Sequence, residues 1–154
     1  MKDTVIRAIR RTDREQWLPL WIGYNAFYER VGETALAQAI TDTTWERFFN
    51  PLEPVFALVA EVDGKLVGVA HYLFHRSTTK IEPVCYLQDL FTDPDARGQG
   101  IGRALIHGVY AQAGQAGAGR VYWQTKSTNE TARALYERVA RHLGFIVYSH
   151  ELPG

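Results

Sequence analysis

The chain has 154 residues, 46% apolar and 22% charged, proportions that suit one globular domain with one core and exclude a disordered segment. Lys+Arg and Asp+Glu both number 17, so the broadly basic surface that strong nucleic-acid binding requires is excluded. A single cysteine, Cys85, excludes an internal disulfide and a cysteine-built zinc site. No leader pattern opens the chain and no apolar run nears the ~20 residues of a membrane span, so a cytoplasmic protein that works away from membranes is expected.

In chain order, the alternation of "VIRAI" (5–9) predicts a short strand. Thr12 with Glu15 reads as a capping box, opening a helix towards Tyr28 that is bent near Pro19, which has no backbone donor. A second helical region covers about 33–49, and the pair Thr43 and Glu46 predicts a break and restart inside it. "VFALVAEV" (55–62) and "LVGVAHYLFH" (66–75), joined through Asp63-Gly64, predict a hairpin. "VCYLQDLFT" (84–92) is a third strand of the same texture. Beyond the loop "TDPDARGQG", a helix runs from Ile101 to about Gln115, with Ile101, Leu105 and Val109 on one face. "RVYWQT" (120–125) predicts a strand, "STNE" (127–130) a third capping box opening a helix to about His142, and "GFIVYSHEL" a closing strand over 145–152. The order is β-α-α-β-β-β-α-β-α-β. Consecutive hairpin strands followed by a β-α-β crossover predict an α/β (α+β) fold around one mixed sheet, with helices on both faces.

"RGQGIGRALI" (97–106) sets glycines at 98, 100 and 102 between a strand and a helix. The first N–H groups of that helix have no intrahelical partner, and with the helix dipole they favour an anion such as a phosphate. Glycine removes the Cβ atoms that would hold a ligand off the main chain. A Walker loop would need GK[ST], and a dinucleotide loop a third glycine where Arg103 stands. On the glycines alone, an anion site and plain turn punctuation both remain open.

Arg97-x-x-Gly100-x-Gly102 resembles the signature of the GNAT superfamily of acyl-CoA-dependent N-acetyltransferases, and the strand before it and "NETARALYERV" (129–139) match as well. The resemblance spans nearly the whole chain, which implies a single N-acetyltransferase domain, 1–154. "CYLQDLFTDPDARGQGIGRALI" is similar to diamine acetyltransferases, and "VYWQT" with the Asn129 helix brings the chain nearer the yeast Hpa-type branch.

The resemblance implies acetyl-CoA as cosubstrate, no metal, and direct transfer to the amine of a small molecule or peptide. Backbone groups of Leu90, Phe91 and Thr92 would bond the pantetheine like an added strand, one N–H polarising the thioester carbonyl. The segment Arg97, Gly98, Gln99, Gly100, Ile101, Gly102 and Arg103 would hold the pyrophosphate, and Asn129 and Ala132 the rest of the cofactor arm. Tyr136 matches the general acid that protonates the departing thiolate. By pattern alone Tyr136 belongs to a core stripe with Ala132, Leu135, Val139 and Leu143.

Diamine acetyltransferases carry a glutamate where this chain has Gln88, and an amide cannot take the proton of the amine. Asp89 is the adjacent carboxylate, a candidate base or amine-binding group. It reaches the face of its neighbour's family role only through a bulge, which the resemblance implies. Tyr24, Glu29, Gln88, Tyr122 and Gln124 are candidates to line the acceptor pocket, with Trp123 facing the other way. His71 and His75 share a strand face, and a strand histidine is ordinarily a half-buried structural residue. Cys85 has no motif partner, which disfavours a covalent route. No cation for an acceptor carboxylate is evident. The closing strand, with its apolar "FIVY", is expected to pair across a homodimer. A non-catalytic acyl-CoA-binding module is the alternative that the amide at Gln88 leaves open.

Overall fold

Asp63 and Gly64 both sit at positive φ, 50° and 74°, the backbone a two-residue hairpin turn needs to match the twist of its strands. In a computed structural model, which describes residues 3–154, this turn joins β2 (Val55–Val62) to β3 (Lys65–His75). Around that hairpin the order is β1 (Thr4–Ala8), α1 (Arg14–Phe27), α2 (Gln38–Arg47), β2, β3, β4 (Val84–Thr92), α3 (Ile101–Gln115), β5 (Val121–Tyr122) and α4 (Glu130–Val139). The sheet runs β1-β2-β3-β4-β5, antiparallel up to β4 and parallel between β4 and β5. The chain divides into two units, the first ending at Trp123 and the second covering Gln124–Gly154.

Helices cover both faces of the sheet in the first unit. On one face, Trp17, Leu20 and Trp21 of α1 and Trp45 of α2 bury against Ala57, Val59, Val69 and Phe91. Trp17 stacks on Trp21 at 5.8 Å and tilts against Trp45 at 5.0 Å, so a few large rings supply much of this core. On the other face, α3 lies close over β3. A Cβ on Gly68 would meet Ile101 Cγ2 at 2.8 Å and Leu105 Cδ1 at 3.0 Å, so that approach requires glycine.

Four local expectations are corrected. Thr12 does not cap α1: Asp13 is the N-cap residue, and its Oδ2 accepts from the Arg10 N–H at 2.7 Å and from Arg7 Nη1 at 2.8 Å. The break at Thr43 and Glu46 is absent, and α2 runs through it. Its buried side is pinned one turn apart, where Thr41 accepts from the Trp21 indole at 3.1 Å and Trp45 enters the core; tertiary anchoring outweighs the local cap. The cap of α4 is Asn129 rather than Ser127, and the helix stops at Val139, where Ala140 turns extended (φ −151°, ψ −173°), short of His142. β5 is only two residues long against the six expected over 120–125.

The closing strand over 145–152 is also a correction, since residues 140–154 carry no regular structure. Phe145, Ile146, Val147 and Tyr148 are exposed. Alternation alone makes no strand when no neighbouring backbone takes up its hydrogen bonds, and among the described residues none does.

Candidate active site

β3 and β4 pair as Ala70↔Leu90 and His71↔Asp89, and the register then jumps to Tyr72↔Leu87. Gln88 is the extra residue of a β-bulge. The bulge resets the alternation of β4, which brings Asp89 and Tyr86 to the face covered by α1 and leaves Gln88 exposed. The Asp89 side chain is nearly buried, and its Oδ2 lies 2.9 Å from His71 Nδ1. The other ring nitrogen, Nε2, accepts from the Trp17 indole N–H at 3.1 Å.

Tyr24 closes on Asp89 from α1. Burial first, then the nearby Asp89 charge, hold the Tyr24 hydroxyl far above its usual range, so it stays protonated. Its ring stacks on Trp21 at 5.8 Å and meets Tyr28 at 5.1 Å. At the β4–β5 side, His75 Nε2 lies 2.8 Å from the Tyr122 hydroxyl, and Tyr122 sits 4.8 Å from Tyr86. Burial is also the main cause that raises Tyr86. The result is a carboxylate walled by tyrosines, a setting that suits an ammonium or its conjugate amine.

The far edge of β4 is open. β5 pairs with it only at Cys85↔Val121 and Tyr86↔Tyr122; among the described residues, Leu90, Phe91 and Thr92 pair with β3 alone. Unpaired strand edges can accept an extended ligand as a further strand. Just beyond, Arg97 Nε donates to the Thr92 carbonyl at 3.2 Å and its guanidinium lies 5.5 Å from the Phe91 ring. Gly98 and Gly100 flank Gln99 at φ 78° and 79°. What demands glycine at these two positions is the left-handed backbone, because a Cβ there would meet no protein atom within 4 Å. Gly100 is the N-cap of α3 and has no side-chain cap, so the N–H groups at Ile101, Gly102 and Arg103 open towards the loop. Ile101 is buried and anchors the turn.

In the second unit, Asn129 accepts from the Ala132 N–H at 3.3 Å and donates to Thr125 Oγ1 at 3.4 Å. Ala132 and Tyr136 share a half-buried face of α4, and Gln124 is exposed.

Of the residues the sequence singled out in the first unit, the structure gathers Tyr24 with Asp89 and sets Tyr122 beside Tyr86 and His75. Trp123 turns to the opposite face, 6.4 Å from the Tyr110 ring of α3. Glu29 lies exposed past the end of α1, at φ 62°. Two features escaped sequence reasoning. His71 is fully buried rather than half-buried, and each of its nitrogens has a partner. The lone polar residue in "LVGVAHYLF" was the available signal, but its partner follows only from the bulged register. Arg30 is the cation not found earlier. Its Nη1 donates to Asn25 Oδ1 at 2.9 Å, its guanidinium lies 5.3 Å from the Tyr28 ring, and its charge acts on the Tyr24 hydroxyl against that of Asp89.

Comparison with known proteins follows the same lines. Residues 15–145 match the model of the Acetyltransferase (GNAT) family. The chain is 35% identical over 146 residues to the D-amino-acid N-acetyltransferase HPA3 of Saccharomyces cerevisiae, covering 94% of this chain and 88% of that one. It is 29% identical to the uncharacterized N-acetyltransferase YhfO of Bacillus subtilis, over 96% of this chain and 97% of that one. Among solved structures, the fold is similar to AAC(6')-Iy in complex with the bisubstrate analog CoA-S-monomethyl-acetylneamine. That match has a TM-score of 0.80 and 17% identity, over 98% of this chain and 99% of the other.

Proposed function

Because the chain belongs to the GNAT acetyltransferase family and is therefore an acetyltransferase, we propose that it moves the acetyl group of acetyl-CoA to the primary amine of a small molecule. The observation that carries this reading is the Asp89 carboxylate, set by a bulge among Tyr24, His71 and Tyr86 beside an open stretch of β4. The family match runs across both units, which supports one N-acetyltransferase domain over 1–154. The N-acetyltransferase names of the relatives do not favour a purely binding module.

Acetyl-CoA supplies an activated thioester. The edge at Leu90, Phe91 and Thr92 and the loop from Arg97 to Arg103 fit such a substrate, an extended arm followed by phosphates. Asn129 and Ala132 serve the same arm. The acceptor enters at Asp89, which binds its ammonium and takes a proton directly or through a water. Amine nitrogen then attacks the carbonyl carbon, the N–C bond forms, the nitrogen gives up its second proton to solvent, and the C–S bond breaks. Tyr136 gives its proton to the leaving thiolate and regains one from solvent. Tyr24, Glu29, Gln88, Tyr122 and Gln124 shape the acceptor side.

We favour an α-amino acid as acceptor. Asp89 suits its ammonium, Arg30 offers a planar fork to its carboxylate, and the similarity to a D-amino-acid N-acetyltransferase supports the same class. A homodimer built through the exposed run 145–148 completes the reading. The test is thiol release from acetyl-CoA across D- and L-amino acids, polyamines, aminoglycosides and a lysine peptide. Release with amino acids is expected, slowed about 100-fold in Tyr136→Phe. No release with any amine would overturn the reading.

A further inference from the structure

His71 is one of four buried polar residues among those described, and the transfer reaction has no direct use for it. Both of its nitrogens are occupied. An indole N–H can only donate, so His71 Nε2, 3.1 Å from Trp17 Nε1, must present a lone pair. The single imidazole proton therefore sits on Nδ1 and is donated to Asp89 Oδ2 at 2.9 Å. Protonating Nε2 as well would set one N–H against another. Trp21 at 5.3 Å and Phe48 at 4.7 Å enclose the ring, and it is 2% exposed, so no water replaces Trp17 as partner.

We infer that Trp17 and His71 form a positioning relay, in which the indole occupies the Nε2 lone pair, the Nδ1–H is left for Asp89, and the histidine fixes that carboxylate towards the acceptor amine. This rests on the reading of Asp89 as the amine-side carboxylate. A carboxylate has about four lone-pair sites. His71 fills one from the protein side, which anchors one oxygen and leaves the other sites for the acceptor. In this arrangement His71 meets Asp89 as an N–H donor with its other nitrogen already taken, which leaves the carboxylate to face the incoming ammonium. His71 itself is no base, since its only lone pair is spent on Trp17 in the core. The arrangement resembles the outer hydrogen bonds that orient metal ligands, where loss of the outer partner costs about 10- to 100-fold in function.

The experiment uses the full chain. Long-range 1H–15N correlation of its histidines is expected to show a pyrrole-type Nδ1 and a pyridine-type Nε2 for His71, and Trp17→Phe to shift the Nε2 signal as its lone pair is freed. In kinetics, His71→Leu should lower kcat for the amine about tenfold or more with little change in KM for acetyl-CoA. His71→Asn should recover most of that loss, because its amide N–H replaces the Nδ1 donor. The relay is overturned by a protonated Nε2 in the wild type, or by Trp17→Phe leaving the Nε2 signal unchanged. It is equally overturned if His71→Asn is as slow as His71→Leu, or if the loss falls on KM for acetyl-CoA. Should the wild type acetylate no amine, the function reading fails, while the tautomer measurement still decides the relay. If His71→Leu does not fold, Trp17→Phe carries the test.

Discussion

Asp89 stands directly across the β3–β4 ladder from His71, with Oδ2 and Nδ1 2.9 Å apart. Only one side of the carboxylate is held by β3. The Tyr24 hydroxyl of α1 lies within reach of its charge, so a helix and two strands frame one functional group. Asp89→Asn keeps an acceptor oxygen for His71 and should fold. Its kcat/KM for the amine is expected to fall about 100-fold in a thiol-release assay. Activity within threefold of wild type would remove Asp89 from the chemistry.

Arg30 is expected to select acceptors that carry a carboxylate. Arg30→Gln should raise KM for an amino acid about tenfold, the scale of one lost charge-assisted contact, and leave KM for the matching decarboxylated amine unchanged. Equal effects on both would place Arg30 outside the acceptor site.

Asp13 links stability to acid. The Arg7 guanidinium, and then the Arg10 N–H, hold its carboxyl below the usual range, against burial that pushes it up. A depressed folded-state pKa stabilises the fold above the unfolded value, about 3.9, and that contribution is lost as pH falls through the lower folded value. Asp13→Asn should cost about 2 kcal/mol at pH 7, with the gap to wild type closing as pH drops below about 4. Urea titrations at stepped pH read this directly; a gap that widens in acid would contradict it.

Gly68→Ala puts a methyl against Ile101, Leu105 and, at 3.2 Å, the Phe91 carbonyl. Overpacking here should cost about 1–3 kcal/mol, or several degrees of Tm for a chain of this length. Gly100→Ala is different: it meets no protein atom, but must adopt φ 79°, at about 1–2 kcal/mol. It should also raise KM for acetyl-CoA, which Gly68→Ala should not.

Burial pushes the Cys85 thiol up to about 11 and closes it off from solvent. It should resist alkylation at pH 8 in the folded protein and react once urea exposes it. Cys85→Ala should leave kcat unchanged, as direct transfer requires; loss of turnover with the fold intact would restore a covalent route.

The hairpin, β4 and α3 were legible because their signals are local. Asp63-Gly64 sets its own turn, alternation marks β2 to β4, and the 98–102 glycines mark the start of α3. Caps proved less legible. Thr12 and Thr43 carry plausible capping patterns, yet Asp13 was drawn to Arg7 of the preceding strand and α2 was held by Trp21. "FIVY" has the pattern of a strand but no partner among the described residues. A strand is made by two segments, and one segment cannot announce the other.

By itself, the sequence determined the kind of protein: the strand and helix order through α4, the glycines that open α3, and the family those motifs resemble. The tertiary structure decided which carboxylate faces the acceptor and how it is held. A single extra residue at Gln88 turns Asp89 towards α1 and His71, and Trp17, 54 positions from His71, joins Asp89 in deciding which nitrogen carries the proton. Turn and periodicity follow from neighbouring residues. Register and tautomer follow from hydrogen bonds between distant ones, and these exist only once the chain has folded.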